Sequence, residues 1–177
     1  MLYDCGCSPA GGLAVRPIRA DDKAALADLF DRLSERSRRR RFLIPKPRLS
    51  ARELAYFTEV DHRRHAALVA IGADGRFIGV ARYASAPGES GSAEVAFAVA
   101  DACQGHGIGS ALTRRIVDHA RRNGMTVLRA TTLAENRPAL KLLRRLGFAV
   151  RAADAAGIDL ELVLDGAGAG HADARAA

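Results

Sequence analysis

The sequence predicts an α+β (mixed α/β) domain in which a mostly antiparallel sheet of about seven strands is flanked by four helices. Two kinds of segment alternate along the 177 residues: short apolar or alternating runs typical of strands, and longer runs with apolar residues at helical spacing. Hydrophobic residues make up 49% of the chain and charged residues 27%, as in an ordinary globular domain. No apolar run approaches the ~20 residues of a membrane span.

One strand and two helices are predicted in the first third of the chain. Residues 13–19 alternate apolar and polar side chains, which indicates a strand. Asp21 or Asp22 can cap a helix whose apolar face recurs at helical spacing, through Leu26, Leu29, Phe30 and Leu33. Ser50 and Glu53 form a capping box, S-x-x-E, which opens a second short helix.

The most basic part of the chain is the run Arg38–Arg41, followed by a loop that Pro45 and Pro47 interrupt. A run of this kind is usually the solvated face of a helix, and this interpretation is preferred. Binding of an acidic acceptor or of nucleic acid stays open, since the net charge of +7 suits any anionic partner. Nucleic acid is the weaker choice, because such surfaces usually interleave aromatic residues and only Phe42 follows here.

From residue 65 to residue 164 the sequence predicts, in order, three strands, a helix, a strand, a helix and two strands. Residues 65–71 and 76–83 form an apolar pair joined through a turn with Gly75, and a further strand begins at Ala93. The next helix ends at Asn123–Gly124 and has an apolar face of Ile108, Leu112, Ile116 and Ala120.

The second helix of this region follows a buried-looking strand at 127–133. Asn136 can cap it, with Pro138 in its first turn and an inward face of Leu140, Leu143 and Leu146. Residues 149–152 and 158–164 then complete the sheet. The domain is expected to span 13–165, with a disordered leader at 1–12 and a low-complexity tail at 166–177.

The stretch EVAFAVADACQGHGIGS, residues 94–110, indicates a strand that runs through a glycine-rich turn into a helix. A helix N-terminus offers unpaired N–H groups and partial positive charge, and glycines let a diphosphate approach the backbone closely. A Walker A loop is excluded because no Gly-Lys-Ser/Thr follows, and a dinucleotide loop would need a glycine at Ser110. A plain tight turn stays open as the alternative without a ligand.

The same stretch resembles the GNAT superfamily of acyl-CoA-dependent N-acyltransferases, whose signature is Q/R-x-x-G-x-G/A after a central strand. Gln104, Gly107 and Gly109 occupy the signature positions. The resemblance continues from Asn136 to the Gly-Phe pair at 147–148 and covers roughly residues 13–163. Within the superfamily, the segments VRPIRADD, RRRRF, VDH and SAEVAFAV are most similar to Pat-type bacterial protein lysine acetyltransferases.

This resemblance implies a GNAT-like fold, acetyl-CoA as co-substrate and a set of site residues. Backbone groups of Phe97, Ala98 and Val99 would receive the acyl carbonyl and the pantetheine arm, and Asn136 would lie near that arm. Glu94 occupies the place of the general base in Pat-type enzymes. The pyrophosphate would be bound by the backbone amides of Gln104, Gly105, His106, Gly107, Ile108, Gly109 and Ser110.

The chemistry itself calls for a base. A lysine amine with a pKa of ~10.4 is only about 0.04% neutral at pH 7, a handicap of ~4.6 kcal/mol, and only the neutral amine attacks a thioester. Strand alternation puts Glu94 on one face with Ala96 and Ala98, which leaves room for an acyl arm. The alternative is a strand-end carboxylate paired with a neighbouring arginine.

One position departs from the family. Many members carry a tyrosine that protonates the leaving thiolate, whereas the corresponding residue here is Leu143 and no tyrosine occurs in residues 84–177. A thiol with a pKa of ~8.5 can leave without a strong acid, so acyl transfer is still expected.

The sequence therefore predicts an N-acetyltransferase that moves acetyl from acetyl-CoA to a primary amine by direct attack, with a protein lysine as the preferred acceptor. A small-molecule amine is the alternative within this class. A catalytically silent acyl-CoA-binding regulator and a nucleic-acid-binding protein are the alternatives from other classes. We expect a cytoplasmic protein, monomeric or homodimeric, and no metal site, because Cys5 and Cys7 would need two further ligands.

Overall fold

A computed structural model describes residues 13–164, and the predicted leader at 1–12 and tail at 166–177 lie outside the described residues. Seven strands form a single sheet in this part of the chain. The strands are β1 (Ala14–Pro17), β2 (His65–Ile71), β3 (Phe77–Ala84), β4 (Ser92–Val99), β5 (Val127–Thr132), β6 (Ala149–Ala153) and β7 (Ile158–Val163). The α-helices are α1 (Lys23–Asp31), α2 (Glu35–Phe42), α3 (Ala51–Thr58), α4 (Ile108–Arg122) and α5 (Arg137–Arg145).

The sheet has the order β1-β2-β3-β4-β5-β7-β6, and every neighbouring pair is antiparallel except β4 and β5. The predicted α+β class with a mostly antiparallel sheet is therefore confirmed. The parallel pair is short, because only Ser92, Ala93 and Glu94 are in register with β5. β4 continues to Val99 without a partner on that side, so the sheet opens at its centre.

Helix α4 covers one face of the sheet, packed on β2, β3 and β4. Gly79 of β3 permits this close approach, because a Cβ there would lie 2.9 Å from Leu112 Cδ1. The predicted apolar face of α4 is confirmed, since each of its members is at most 3% exposed: Ile108, Leu112, Ile116 and Ala120.

The opposite face of the sheet is covered by α1, α2 and α3. The predicted inward side chains of α1 are buried, and the Ser50–Glu53 capping box opens α3 as expected. Asp22, by contrast, does not cap α1 through its side chain. Its carboxylate instead accepts two hydrogen bonds of 2.7 Å from the Arg16 guanidinium. This contact holds the pKa of the Asp22 carboxyl below its ordinary value.

The expectation that the basic run lies on a helix is confirmed, and this helix, α2, is a fifth one beside the four predicted. The run Arg38–Arg41 belongs to it, with Ser34 as the N-cap residue and Leu43 in the left-handed region, at φ 65°, closing its C-terminal end. Within residues 13–164 no helix is long and apolar enough to cross a membrane.

Candidate active site

A cleft of about 510 Å³ occupies the centre of the molecule, where β4 and β5 part. Its floor is formed by residues 94–99 of β4 and 130–132 of β5. Helix α2, the glycine turn and α5 form the walls. The cleft is a consequence of the sheet register, because two adjacent parallel strands that stop pairing after three residues leave their remaining edges open.

The open edge of β4 is defined by the alternation of its backbone groups. The Ala100 N–H donates to a carbonyl of β3 at 2.9 Å, so the backbone groups of Ala98 are also directed to β3. Those of Phe97 and Val99 are directed to the cleft. Since Gln104 Nε2 donates to the Val99 carbonyl at 3.1 Å, Phe97 presents the strand-edge N–H and carbonyl that no described strand pairs with.

The glycine turn exposes a series of backbone amides at the N-terminus of α4. Gly105 and Gly107 have φ of 83° and 80°, and a Cβ at either position would meet open space, so glycine is needed for the backbone conformation. The first hydrogen bond of the helix runs from the Ala111 N–H to the Gly107 carbonyl at 3.0 Å. The N–H groups of residues 108–110 therefore have no acceptor inside the helix.

The residues of the predicted loop do not all face the cleft with their side chains. The Ile108 side chain lies in the core, and His106 is exposed outside the cleft lining. Gly109 lies at the junction of three elements, because a Cβ there would be 3.3 Å from Leu142 Cδ1 and 3.6 Å from Val99 Cγ2. His106 and Ile108 could therefore contact a ligand in the cleft only through their backbone groups.

A hydrogen-bond network that the sequence did not indicate links the start of α2 to the glycine turn. The Asp101 carboxylate accepts from the Ser34 N–H at 2.9 Å, from Ser34 Oγ at 2.8 Å and from Ser37 Oγ at 2.8 Å. Gln104 Nε2 also donates to Ser37 Oγ at 3.2 Å. Burial opposes the ionisation of Asp101, but these donors outweigh it and hold the pKa of its carboxyl below the ordinary value.

The opposite wall is built by the start of α5. Asn136 precedes the helix, but its side chain makes no capping bond and its Nδ2 donates to Thr132 Oγ1 at 3.2 Å instead. This contact holds the Asn136 amide along the cleft. Leu143 also lines the cleft and is 2% exposed, so this wall presents an aliphatic side chain at that position.

Glu94 lies at the end of the cleft where β4 and β5 meet, and its side chain is exposed. It shares a face of β4 with Ala96 and Ala98, as the alternation predicts. Within residues 13–164 it forms no ion pair. Its neighbour in the sheet, Arg129, is 3.3 Å from Glu161 and so has another partner. The charge of Arg41 interacts with that of Glu94, although the two groups do not lie within ion-pair distance, so pairing with a neighbouring arginine stays open as the alternative.

The basic run is only partly solvated, in contrast to the prediction. Arg38 lies over the Phe30 ring at 4.6 Å and donates to three backbone carbonyls, while Arg39 is exposed. Arg40 and Arg41 are half-buried and line the cleft. Burial lowers the pKa of Arg41 to about 10, against the opposing charge of Glu94.

With this geometry established, comparison with known proteins identifies the class as acetyltransferases. The family model of the GNAT acetyltransferases matches residues 26–148, and the chain belongs to this family. An acetyltransferase of Pseudomonas aeruginosa is 35% identical over 137 residues, which cover 76% of this chain and 73% of that protein. Members of the family use acetyl-CoA as the acetyl donor.

Two solved structures extend the comparison. The GNAT domain of S. lividans PAT is 34% identical, with a TM-score of 0.80 over 86% of this chain and 90% of that domain. An acetyltransferase of Salmonella typhimurium, solved with its cofactor acetyl-CoA, shares the fold at 23% identity. Its TM-score is 0.71 over 92% of this chain and 99% of that protein. Within residues 13–164 no three His, Cys, Asp or Glu side chains cluster as metal ligands would.

Proposed function

We propose that this enzyme transfers the acetyl group of acetyl-CoA to a primary amine by direct attack, with a protein lysine as the acceptor and Glu94 as the general base. One observation carries the proposal. A single cleft joins a row of helix N-terminal amides, a strand edge with a free N–H and carbonyl, and a carboxylate that forms no ion pair within residues 13–164.

The donor would lie along this cleft from the glycine turn to Glu94. The amides of residues 104–110 would bind the pyrophosphate, as a helix N-terminus favours an anion. The pantetheine arm would follow the β4 edge, with the Phe97 N–H and carbonyl as its backbone partners, Ala98 contributing its side chain and Val99 its main chain. Asn136 would contact the arm from the opposite wall.

The reaction would proceed without a covalent enzyme intermediate. Glu94, directly or through a water, takes a proton from the acceptor ammonium, and the nitrogen lone pair attacks the thioester carbonyl carbon. The tetrahedral intermediate then collapses: the C–S bond breaks, its electron pair leaves on sulfur, and the nitrogen releases its second proton to solvent to give the neutral amide. Leu143 cannot supply a proton, so the thiolate leaves unprotonated and takes its proton from solvent, which a thiol with a pKa of ~8.5 permits.

The preference for a lysine of a protein rests on similarity. The segments quoted from the sequence resemble Pat-type protein lysine acetyltransferases, and the S. lividans PAT domain is 34% identical over most of its length. We further expect a cytoplasmic protein that works as a monomer or homodimer, which sedimentation of the purified chain would distinguish.

The test is an acetylation screen over lysine peptides, intact proteins and small primary amines, monitored by release of the CoA thiol. Turnover of peptides or proteins above that of small amines supports the lysine acceptor. Turnover confined to small amines would assign a small-molecule acetyltransferase. Tight acetyl-CoA binding without thiol release in the presence of any amine would assign a silent acyl-CoA-binding regulator instead.

A further inference from the structure

Positively charged side chains outnumber negatively charged ones in the lining of the cleft. Of the described residues, Glu94 is the one carboxylate in the lining, against four cationic side chains. Lys141 and Arg145 belong to α5, whose Leu142 adjoins Gly109 of the glycine turn, and so lie at the phosphate end. The other two, Arg40 and Arg41, belong to α2.

The guanidinium of Arg41 lies close enough to Glu94 for the two charges to interact, and it has no carboxylate within ion-pair distance in residues 13–164. Its ring contact is with Phe42, at 4.8 Å. Arg40 has an unsatisfied hydrogen-bond donor, because its Nε is buried and has no partner in the described chain. Another nitrogen of the same guanidinium, Nη2, donates to the Glu135 carbonyl at 3.5 Å.

A third arginine, Arg82, lies close enough to Arg41 for the two charges to interact. Arg82 is 5% exposed, donates to the Phe57 carbonyl at 2.9 Å and lies over the Phe57 ring at 4.2 Å. It also has no carboxylate partner within residues 13–164, and burial together with the charge of Arg41 lowers its pKa to about 9. The positive charges of Arg41 and Arg82 therefore lie close together, and the Glu94 carboxylate opposes that of Arg41.

Some guanidinium groups elsewhere in the described chain have carboxylate partners. Arg16 meets Asp22 at 2.7 Å, and Arg151 meets Glu161 at 2.7 Å. Desolvated charges without a counter-charge are costly, and they concentrate at sites where a ligand completes them. A guanidinium presents a planar fork that matches a carboxylate through two hydrogen bonds.

We propose that Arg41, with Arg82 close to it, is the acceptor-recognition group of this enzyme, and that the acceptor carries a carboxylate beside its reactive amine. The inference rests on the proposed function, because it takes the Glu94 end of the cleft as the acceptor end. Glu94 faces the ammonium and Arg41 faces the carboxylate. The carboxylate has two chemical sources, an aspartate or glutamate next to a lysine in a peptide, or the α-carboxylate of a free amino acid.

The experiment compares kcat/KM for lysine peptides that differ only in their neighbouring residues, which are acidic, neutral or basic. Free α-amino acids are compared with their amides in a second arm. We expect the acidic peptide, or the free amino acid over its amide, to be preferred by about 30-fold, the lower range for a desolvated charge pair. The arm that shows the preference identifies the source of the carboxylate.

The variant Arg41→Gln should abolish this preference, so that the ratio of kcat/KM between the acidic and the neutral acceptor falls to about one, with the KM for acetyl-CoA unchanged. Because Arg41 also interacts with Glu94, this ratio is the readout, not the absolute rate. Arg41→Lys, which keeps the charge but not the fork, should retain part of it and covers the case in which the glutamine variant does not fold. Arg39→Gln is the matched control on the exposed side of α2 and should behave as wild type.

Equal rates for acidic, neutral and basic acceptors would overturn the inference, as would an equal loss in Arg41→Gln and Arg39→Gln, which would indicate long-range attraction alone. Either result leaves the proposed acetyl transfer intact, because neutral peptides would still be acetylated. Absence of thiol release with every acceptor would instead overturn the proposed function and this inference with it.

Discussion

At the scale of single residues, Glu94 is distinguished by what surrounds it. The nearest arginine in the sheet, Arg129, lies by Glu161, and the small side chains of Ala96 and Ala98 leave space along the same face of β4. The carboxylate is therefore accessible to an amine that enters the cleft.

Replacing Glu94 by glutamine keeps its shape and removes its basicity. We expect Glu94→Gln to reduce turnover of the amine by about 10²-fold or more at pH 7, because a positioned base contributes at least that factor. Acetyl-CoA affinity should be nearly unchanged, since the phosphate end of the cleft is untouched. Steady-state thiol release and acetyl-CoA titration measure the two quantities. Glu89→Gln, an exposed carboxylate outside the cleft lining, is the control, and equal turnover in both variants would contradict the role of Glu94.

A substitution at Gly107 tests the glycine turn, the proposed pyrophosphate site, and distinguishes an effect of backbone strain from an effect on ligand binding. Its φ of 80° is close to the 78° of Gly75 in the β2–β3 turn, and a Cβ would meet open space at both positions. Gly107→Ala and Gly75→Ala should each lower the free energy of unfolding by about 1–2 kcal/mol through left-handed backbone strain.

Only Gly107→Ala should also raise the KM for acetyl-CoA, by about tenfold or 1.4 kcal/mol, because its strain would be relieved by moving the amides that we propose to bind the pyrophosphate. Thermal unfolding and steady-state kinetics of the two variants check this pair of outcomes. If both substitutions change the KM equally, the glycine turn is a structural turn without a ligand.

These residues were predictable because their signals are local. Strand parity assigns the face of Glu94, and glycine is the residue that most readily adopts the positive φ found at Gly107. The backbone direction of Ala98 was not predictable, since it depends on pairing with β3. Asn136 and Asp22 were expected as caps, but their side chains form hydrogen bonds with Thr132 and Arg16 instead, which are contacts set by the tertiary fold.

At the scale of elements, α2 shows how a helix can form without an apolar stripe. Its sequence, ERSRRRRF, has no apolar periodicity, so residue spacing alone could not predict its packing. Hydrogen bonds stabilise it instead. Ser34 caps its first turn, and Arg38 donates to the carbonyls of Phe30, Asp31 and Pro47. The half-burial of Arg40 and Arg41 follows from this placement over β4.

The link from α2 to the glycine turn makes Asp101 a positioning residue. Asp101→Asn exchanges an ionised acceptor for an amide and should weaken the bonds from Ser34 and Ser37, which are worth about 1.5–3 kcal/mol to a charged group. Since Gln104 is held through Ser37, we expect the KM for acetyl-CoA to rise about threefold to tenfold while kcat changes less.

Asp118→Asn is the matched control, because Asp118 makes an exposed ion pair with Arg121 on α4, away from the cleft. Steady-state kinetics with acetyl-CoA as the varied substrate separate the two parameters. A lower free energy of unfolding with an unchanged KM would show that the network serves stability alone.

At the scale of the whole molecule, the sheet consists of two halves joined by one short parallel pair. Strands β1–β4 and β5–β7 each have long antiparallel registers, whereas the junction has three residue pairs. The order of strands and helices was predictable from periodicity, but the length of this junction was not, because the register between distant strands leaves no mark on the spacing of residues. The cleft therefore became visible only in the structure.

A molecule built in this way should be stabilised by a donor that contacts both halves. Acetyl-CoA at about 100 times its Kd should add about 2.7 kcal/mol to the free energy of unfolding, which for a domain of this size raises the Tm by roughly 5–10 °C. Calorimetry or dye-based thermal unfolding across an acetyl-CoA series measures the shift. Pantetheine, which lacks the phosphates, is the control ligand and should shift the Tm far less. Gly107→Ala should need about tenfold more acetyl-CoA for the same shift, while Gly75→Ala should follow wild type. A Tm that stays constant up to saturating acetyl-CoA would contradict binding in the cleft.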